Sequence, residues 1–160
     1  MRKIRRFIGS ILIITVVCAL NINVYASTKD VEERQEESKL INEDCVEIII
    51  DNTTRGNILN RVTGRLSNNG NGSINVYGAV YGSVVCDKLV LEMTLQKQVN
   101  GSWQNVKSFS ASANSKGFFT KSYNMSVTKG YYYRLKLVGV ATKGSTTESQ
   151  TGITDGLLIK

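Results

Sequence analysis

The sequence predicts an all-β protein: an immunoglobulin-like antiparallel β-sandwich of about seven strands, preceded by a signal peptide and an acidic leader. Three observations predict it. From residue 57 onward apolar residues recur at every second position in short runs, the period of a half-buried strand. Clusters of Gly, Asn and Ser separate those runs at the spacing of sandwich turns. No stretch of ten or more residues in this region carries a 3.6-residue period, so no helix is expected there. A sandwich suits such runs better than an open sheet, which would leave one apolar face wet; a small closed barrel is the alternative.

Residues 1–26 have the layout of a secretory signal peptide. Arg2, Lys3, Arg5 and Arg6 form a basic start, and residues 7–20 are apolar apart from Gly9, Ser10 and Thr15. That run of about 14 residues is shorter than the roughly 20 needed to span a bilayer as a helix. Val24 and Ala26 fit a cleavage site before Ser27, and cleavage would remove Cys18. The expected organisation is a signal peptide over 1–26, an acidic leader over 27–56 and the β domain over 57–160. No membrane span is expected after cleavage, and the protein is expected to be secreted, free or loosely held at the cell surface.

The leader is polar as far as Lys39, with Val31 nearly alone as an apolar residue, so it cannot bury enough surface to offset the entropy of ordering. Residues 45–50 differ: Cys-Val-Glu-Ile-Ile-Ile is apolar and β-branched, an extra edge strand or a docking segment. In the domain, the first strand is expected over 61–67. Asn68-Asn69-Gly70-Asn71-Gly72 makes the turn, because Asn and Gly reach positive φ at little cost. The second strand, 73–82, places Ile74, Val76, Gly78 and Val80 on one side and Asn75, Tyr77, Ala79 and Tyr81 on the other. Residues 88–99 alternate most clearly, with Leu89, Leu91, Met93 and Leu95 inward. Asn100-Gly101 is the strongest hairpin signal of the chain, so 102–110 should fold back antiparallel. Residues 111–117 read as a loop and 118–127 as a strand carrying Phe119, Tyr123, Met125 and Val127 on one face. Lys129-Gly130 turns into 131–140, where Tyr131, Tyr133, Leu135 and Leu137 share a face; the last strand lies within 148–159. Tyr131 or Tyr133 stands where sandwich proteins often place a tyrosine bonded back to the preceding loop.

The runs Leu95-Gln96-Lys97, Asn100-Gly101-Ser102-Trp103 and Val106-Lys107-Ser108, followed by Lys121-Ser122-Tyr123 and Val127-Thr128-Lys129-Gly130-Tyr131-Tyr132-Tyr133-Arg134, resemble the signature of a family of small secreted single-domain proteins from clostridia-like Gram-positive bacteria. The resemblance covers roughly residues 61–159. It implies a signal peptide and one β-sandwich domain of unassigned function, with no catalytic residues to carry over. The acidic leader and the pair Cys45 and Cys86 fall outside its pattern.

Composition excludes much chemistry. The chain has no His, no Pro and 3 Cys. Without His there is no Ser-His-Asp or Cys-His catalysis and no His-ligated metal, and three Cys cannot build an all-Cys zinc or iron–sulfur site. The domain offers four carboxylates. Asp87 and Glu92 are five apart and Glu148 and Asp155 seven apart, so each pair falls on opposite strand faces. The expectation is therefore a non-enzyme with no catalytic residue, metal or cofactor. After loss of residues 1–26, which carry four positive charges, the formal +7 falls to +3. Thirteen basic against four acidic residues from Asn52 onward give the domain +9, opposed by the leader. A basic secreted domain should associate with anionic envelope polymers, with Lys88, Lys97, Lys107, Arg134 and Lys136 as expected contacts. The acidic leader is expected to fold over them and mask them. The alternatives are a secreted structural or interaction protein, and a glycan-binding module using Tyr77, Tyr81, Trp103 and Tyr132. Nucleic acid is not an expected partner, since no Arg-aromatic cluster or nucleic-acid motif is present. Cys45 and Cys86 are left after cleavage; an oxidising setting would favour their pairing, and two free or intermolecular thiols are the alternative.

Overall fold

The computed structural model describes residues 38–52 and 58–160. The expected signal peptide, the leader as far as residue 37, and residues 53–57 lie outside them. The chain divides into compact units at 1–34 and 35–160, and everything below concerns the second. It is all-β, with no helix among the described residues. In chain order the strands are β1 (Leu40–Ile41), β2 (Cys45–Asp51), β3 (Leu59–Gly70), β4 (Ser73–Val99), β5 (Ser102–Ser126), β6 (Tyr131–Lys143), β7 (Thr146–Ile153) and β8 (Gly156–Ile159). All belong to one sheet in the order β1-β8-β6-β4-β3-β2, with β5 on β4 and β7 on β6.

The sheet is nearly closed on itself because β4 serves two halves. Residues 73–81 of β4 lie between β3 and the second half of β5; residues 88–99 lie between the first half of β5 and β6. The ladder to β5 is irregular between Tyr81 and Cys86, and there β4 passes from one half to the other. The two halves then face each other across the core. Val62, Leu66, Ile74, Val76 and Val80 of one half and Leu89, Leu91, Met93, Leu95, Leu135 and Leu137 of the other are buried. Close approach is possible because glycines stand at the contact: Gly64 meets Leu135 and Leu137, and Gly139 meets Val62 and Val80. At the far end of the sheet order, Gly152 of β7 packs on Ile48 and Ile50 of β2.

Several expectations are met residue by residue. Asn100 and Gly101 adopt φ 52° and 78°, the two positive values that a tight hairpin demands. The predicted inward row Leu89, Leu91, Met93 and Leu95 is at most 1% exposed. Of the two tyrosines offered for the bond to the preceding loop, Tyr133 makes it. Its Oη donates to the Thr128 carbonyl at 2.8 Å, and burial raises the phenol pKa, keeping that proton in place.

Other expectations need correction. The expected loop at 111–117 is strand, with Ala111 and Ala113 opposite Leu91 and Leu89. Four expected strands are two long ones, and the last expected strand is two short ones, β7 and β8. Residues 45–50, read as an extra edge strand or a docking segment, are the edge strand of the sheet. β2 pairs along β3 from Cys45↔Ser67 to Asp51↔Arg61, and β1 pairs with β8 in parallel.

Cys45 and Cys86 are not paired; both are free thiols. The physical reason is register. Cys45 stands opposite Ser67 at one end of β3, whereas Cys86 packs against Gly82, the partner of Leu59 at the other end. Eight residues of strand separate those ends, roughly 25 Å at about 3.3 Å per residue, and a disulfide tolerates about 7 Å between Cα atoms. Cys45 is exposed, while Cys86 is buried against the carbonyls of Ile58 and Val84, and burial raises its thiol pKa. A thiol-reactive probe should therefore label Cys45 at once in the native protein and Cys86 only after unfolding. Finding no free thiol after denaturation would overturn this assignment.

Candidate functional site

The outer surface of the β2-β3-β4-β5 half is a regular grid, because directly opposed residues share a face. One row runs Glu47, Arg65, Tyr77, Ser122; the next Ile49, Thr63, Ala79, Thr120; the third Asp51, Arg61, Tyr81, Phe118. The middle row forms a low floor, with Ala79 buried and Thr63 7% exposed. Tyr77 and Tyr81 rise on either side, four residues apart, about 13 Å along the strand. Each ring is held by a neighbour. The Arg65 guanidinium lies 5.4 Å from the Tyr77 ring centre, and Phe118 lies 4.8 Å from Tyr81 at 40°. Arg61 pairs with Asp51, whose hydrogen bond and charge raise the guanidinium pKa. Asn75 Nδ2 extends the polar border by donating to Ser122 Oγ and Asn124 Oδ1 at 2.8 and 2.7 Å. Ile49 and Phe118 are about half exposed, at 55% and 47%. We call this face, with its two aromatic rings, the covered Ala79 and Thr63 between them and a border of amide, hydroxyl and guanidinium groups, the trough.

Trp103 and Tyr132 lie elsewhere, on β5 and β6 of the opposite outer face, so the four expected aromatics do not form one patch. Trp103 is already occupied. Its ring carries the Arg134 guanidinium at 4.4 Å and its edge reaches over Gly156. Arg134 in turn donates from Nε to Gln96 Oε1 and from Nη1 to Ser38 Oγ, at 2.8 and 2.9 Å, and Gln96 Nε2 donates to Asn105 Oδ1. Desolvation lowers the Arg134 pKa. This network ties Ser38, at the start of the described chain, to the sheet.

The five expected polyanion contacts are dispersed. Lys88 and Lys136 share the outer face with Arg134, but they oppose Thr142 and Thr94, six residues apart on β4, about 20 Å. Lys97 and Lys107 follow the inward register of Leu95, at the rim of the core. The acidic residues 43–51 lie on β2 and the turn before it, with Asp51 paired to Arg61 and Asp44 O accepting from Asn68 N. Among the described residues, no group of three or more acidic or sulfur ligands could hold a metal ion, and no helix is long and apolar enough to cross a membrane.

No protein-family model matches the chain, and no curated protein matches it. Among solved structures it is similar to the sporulation control protein Spo0M of Bacillus subtilis, at a TM-score of 0.32 and 8% identity over 74% of this chain and 51% of that one. The chain spans about half the length of that protein. A likeness of this order carries no functional argument.

Sequence reasoning placed Tyr77 and Tyr81 on one exposed face, but it missed Arg61, Arg65, Thr63 and Phe118. Their signal lies in the register. Counting pairs from Gly70↔Ser73 would set Leu66 opposite Tyr77, and the irregularity between Asn68 and Gly70 shifts that partner to Arg65, so a hairpin count alone does not find it.

Proposed function

We propose that the protein is a secreted, non-enzymatic module with an immunoglobulin-like sandwich, that it associates with the cell envelope or another extracellular polymer, and that the Tyr77/Tyr81 trough is its glycan-binding surface. The observation that carries this reading is the row geometry. Two braced aromatic rings flank a floor of small side chains, and the border offers Arg65, Arg61, Asn75 and Thr120. Sugars present apolar C–H faces and hydroxyl edges, so aromatic walls with a polar border match them on both counts. Two facing halves of sheet and the Tyr133 bond support the sandwich assignment; the basic start and short apolar run of residues 1–26 support secretion. The dispersed lysines contribute a general attraction to polyanions that salt should screen, from a range of ~10 Å at 0.1 M to ~3 Å at 1 M.

Retention of the protein on purified cell-wall material tests the proposal. Tyr77→Ala and Tyr81→Ala should each lower retention about ten-fold, the equivalent of about 1.4 kcal/mol, within the range of one aromatic contact. Soluble wall sugars should compete. Retention that disappears in 1 M salt and ignores both tyrosine substitutions would replace the trough with a purely electrostatic surface.

A further inference from the structure

A second site lies at the mouth of the core, away from the trough. The inward row of β4 runs Leu89, Leu91, Met93, Leu95 and then Lys97, so an ammonium group stands where the pattern calls for another apolar residue. Lys97 opposes Tyr133 of β6, and the two line a cavity of about 370 Å³ together with Val106, Ser126, Val127 and Thr128. That volume falls within the usual range of small-molecule pockets.

Three observations point to a ligand of definite chemistry. First, Lys97 is half-buried and has no carboxylate partner among the described residues; its Nζ rests 4.5 Å from the centre of the Tyr131 ring. Second, the lining combines the apolar residues Val106, Val127 and Tyr133 with Ser126 and Thr128. The Tyr133 hydroxyl is committed to the Thr128 carbonyl, and among the described residues Lys97 is the charged group of the lining. Third, the β4–β5 register shifts between Leu95↔Lys107 and Gln96↔Asn105, so Val106 has no partner on β4. Such a bulge re-aims a side chain, and here it belongs to a residue that lines the cavity and is 44% exposed.

We propose that this cavity is a binding site for a small amphiphilic carboxylate, its carboxylate on the Lys97 ammonium and its apolar body against Val106, Val127 and the Tyr133 ring. An ammonium beside apolar groups, with no anion near it among the described residues, is complementary to such a molecule and not to a cation. This site is independent of the glycan trough.

Titration of the full-length protein with hexanoate, followed by amide chemical shifts, tests it. Saturable shifts should cluster at residues 97, 106, 126–128 and 133. Hexylamine, with the same chain and opposite charge, should leave them in place. Lys97→Met should weaken hexanoate binding at least ten-fold while the remaining amide spectrum stays native, and Lys97→Arg should retain most of it. Equal binding of hexylamine, shifts clustered elsewhere, or undiminished binding by Lys97→Met would each overturn the site. Tyr77→Ala should leave hexanoate binding unchanged, which separates failure here from failure of the trough.

Discussion

Gly139→Ala is expected to cost about 1–3 kcal/mol, the range of an overpacked core, and Gly139→Val more. A Cβ at residue 139 would overlap Val62 Cγ2 and stand 3.0 Å from its Cγ1 and 3.1 Å from Val80 Cγ2. Neither valine can move aside. Both are fully buried, and β-branching restricts each to few rotamers. The strain therefore falls on the separation of the two halves of the sheet. Urea unfolding measures the loss, and a second variant identifies its origin. Val62→Ala alone should destabilise by leaving a cavity, but combined with Gly139→Ala it should cost much less than the sum of the two, because the new methyl group occupies the vacated volume. A Gly139→Ala protein within 0.5 kcal/mol of the parent would mean that the halves do not meet at this point.

The double substitution Lys107→Val and Lys121→Val is expected to make the protein self-associate. β5 is 25 residues long and, among the described residues, pairs with β4 alone, so none of them covers its other edge, a long row of backbone donors and acceptors. Lys107 opposes Leu95 and Lys121 opposes Gly78, so both follow the inward register at that open edge. Between them Phe109 stacks on Tyr123 at 4.4 Å and 15°, closing the apolar mouth. A strand docking on β5 would have to desolvate both ammonium groups, which is how natural edge strands resist pairing. With valine in both places, the apparent mass in gel filtration should rise with protein concentration relative to the parent. Identical elution of variant and parent across a hundred-fold concentration range would end the idea. Lys107 thus has a use that its charge alone did not disclose, since the sequence placed it among the contacts to anionic polymers.

The sequence disclosed most where the signal is local. Alternation identified Leu89, Leu91, Met93 and Leu95, Asn100-Gly101 located its hairpin, and position after a glycine turn singled out Tyr131 and Tyr133. It disclosed least where two distant segments must meet. Residues 111–117 look like a loop because Ser, Ala, Asn and Gly dominate them, yet each alanine needs no more than the Leu row opposite it to be held as strand. For Cys45 and Cys86 the sequence left a disulfide and two free thiols both open, and the register that keeps them apart depends on how β2 and β4 flank β3. The trough was half legible for the same reason: alternation within one strand gives Tyr77 and Tyr81, but Arg65 and Phe118 arrive from neighbouring strands.

The continuity of β4 has a consequence for how this chain acquires its structure. Its ladder with β5 starts at Val99↔Ser102 and ends at Ser73↔Ser126. Each pair added beyond the Asn100-Gly101 turn enlarges the closed loop by about two residues, so the entropic cost of closure rises in small increments rather than in one leap. A hairpin started at that turn can zip through the irregularity at 82–86 and lay down one strand pair of each half before any remote segment arrives. β3 and β6 then add to opposite ends of the same ribbon. Pulling either end of that ribbon transmits load through a single backbone into both halves, so they should come apart together.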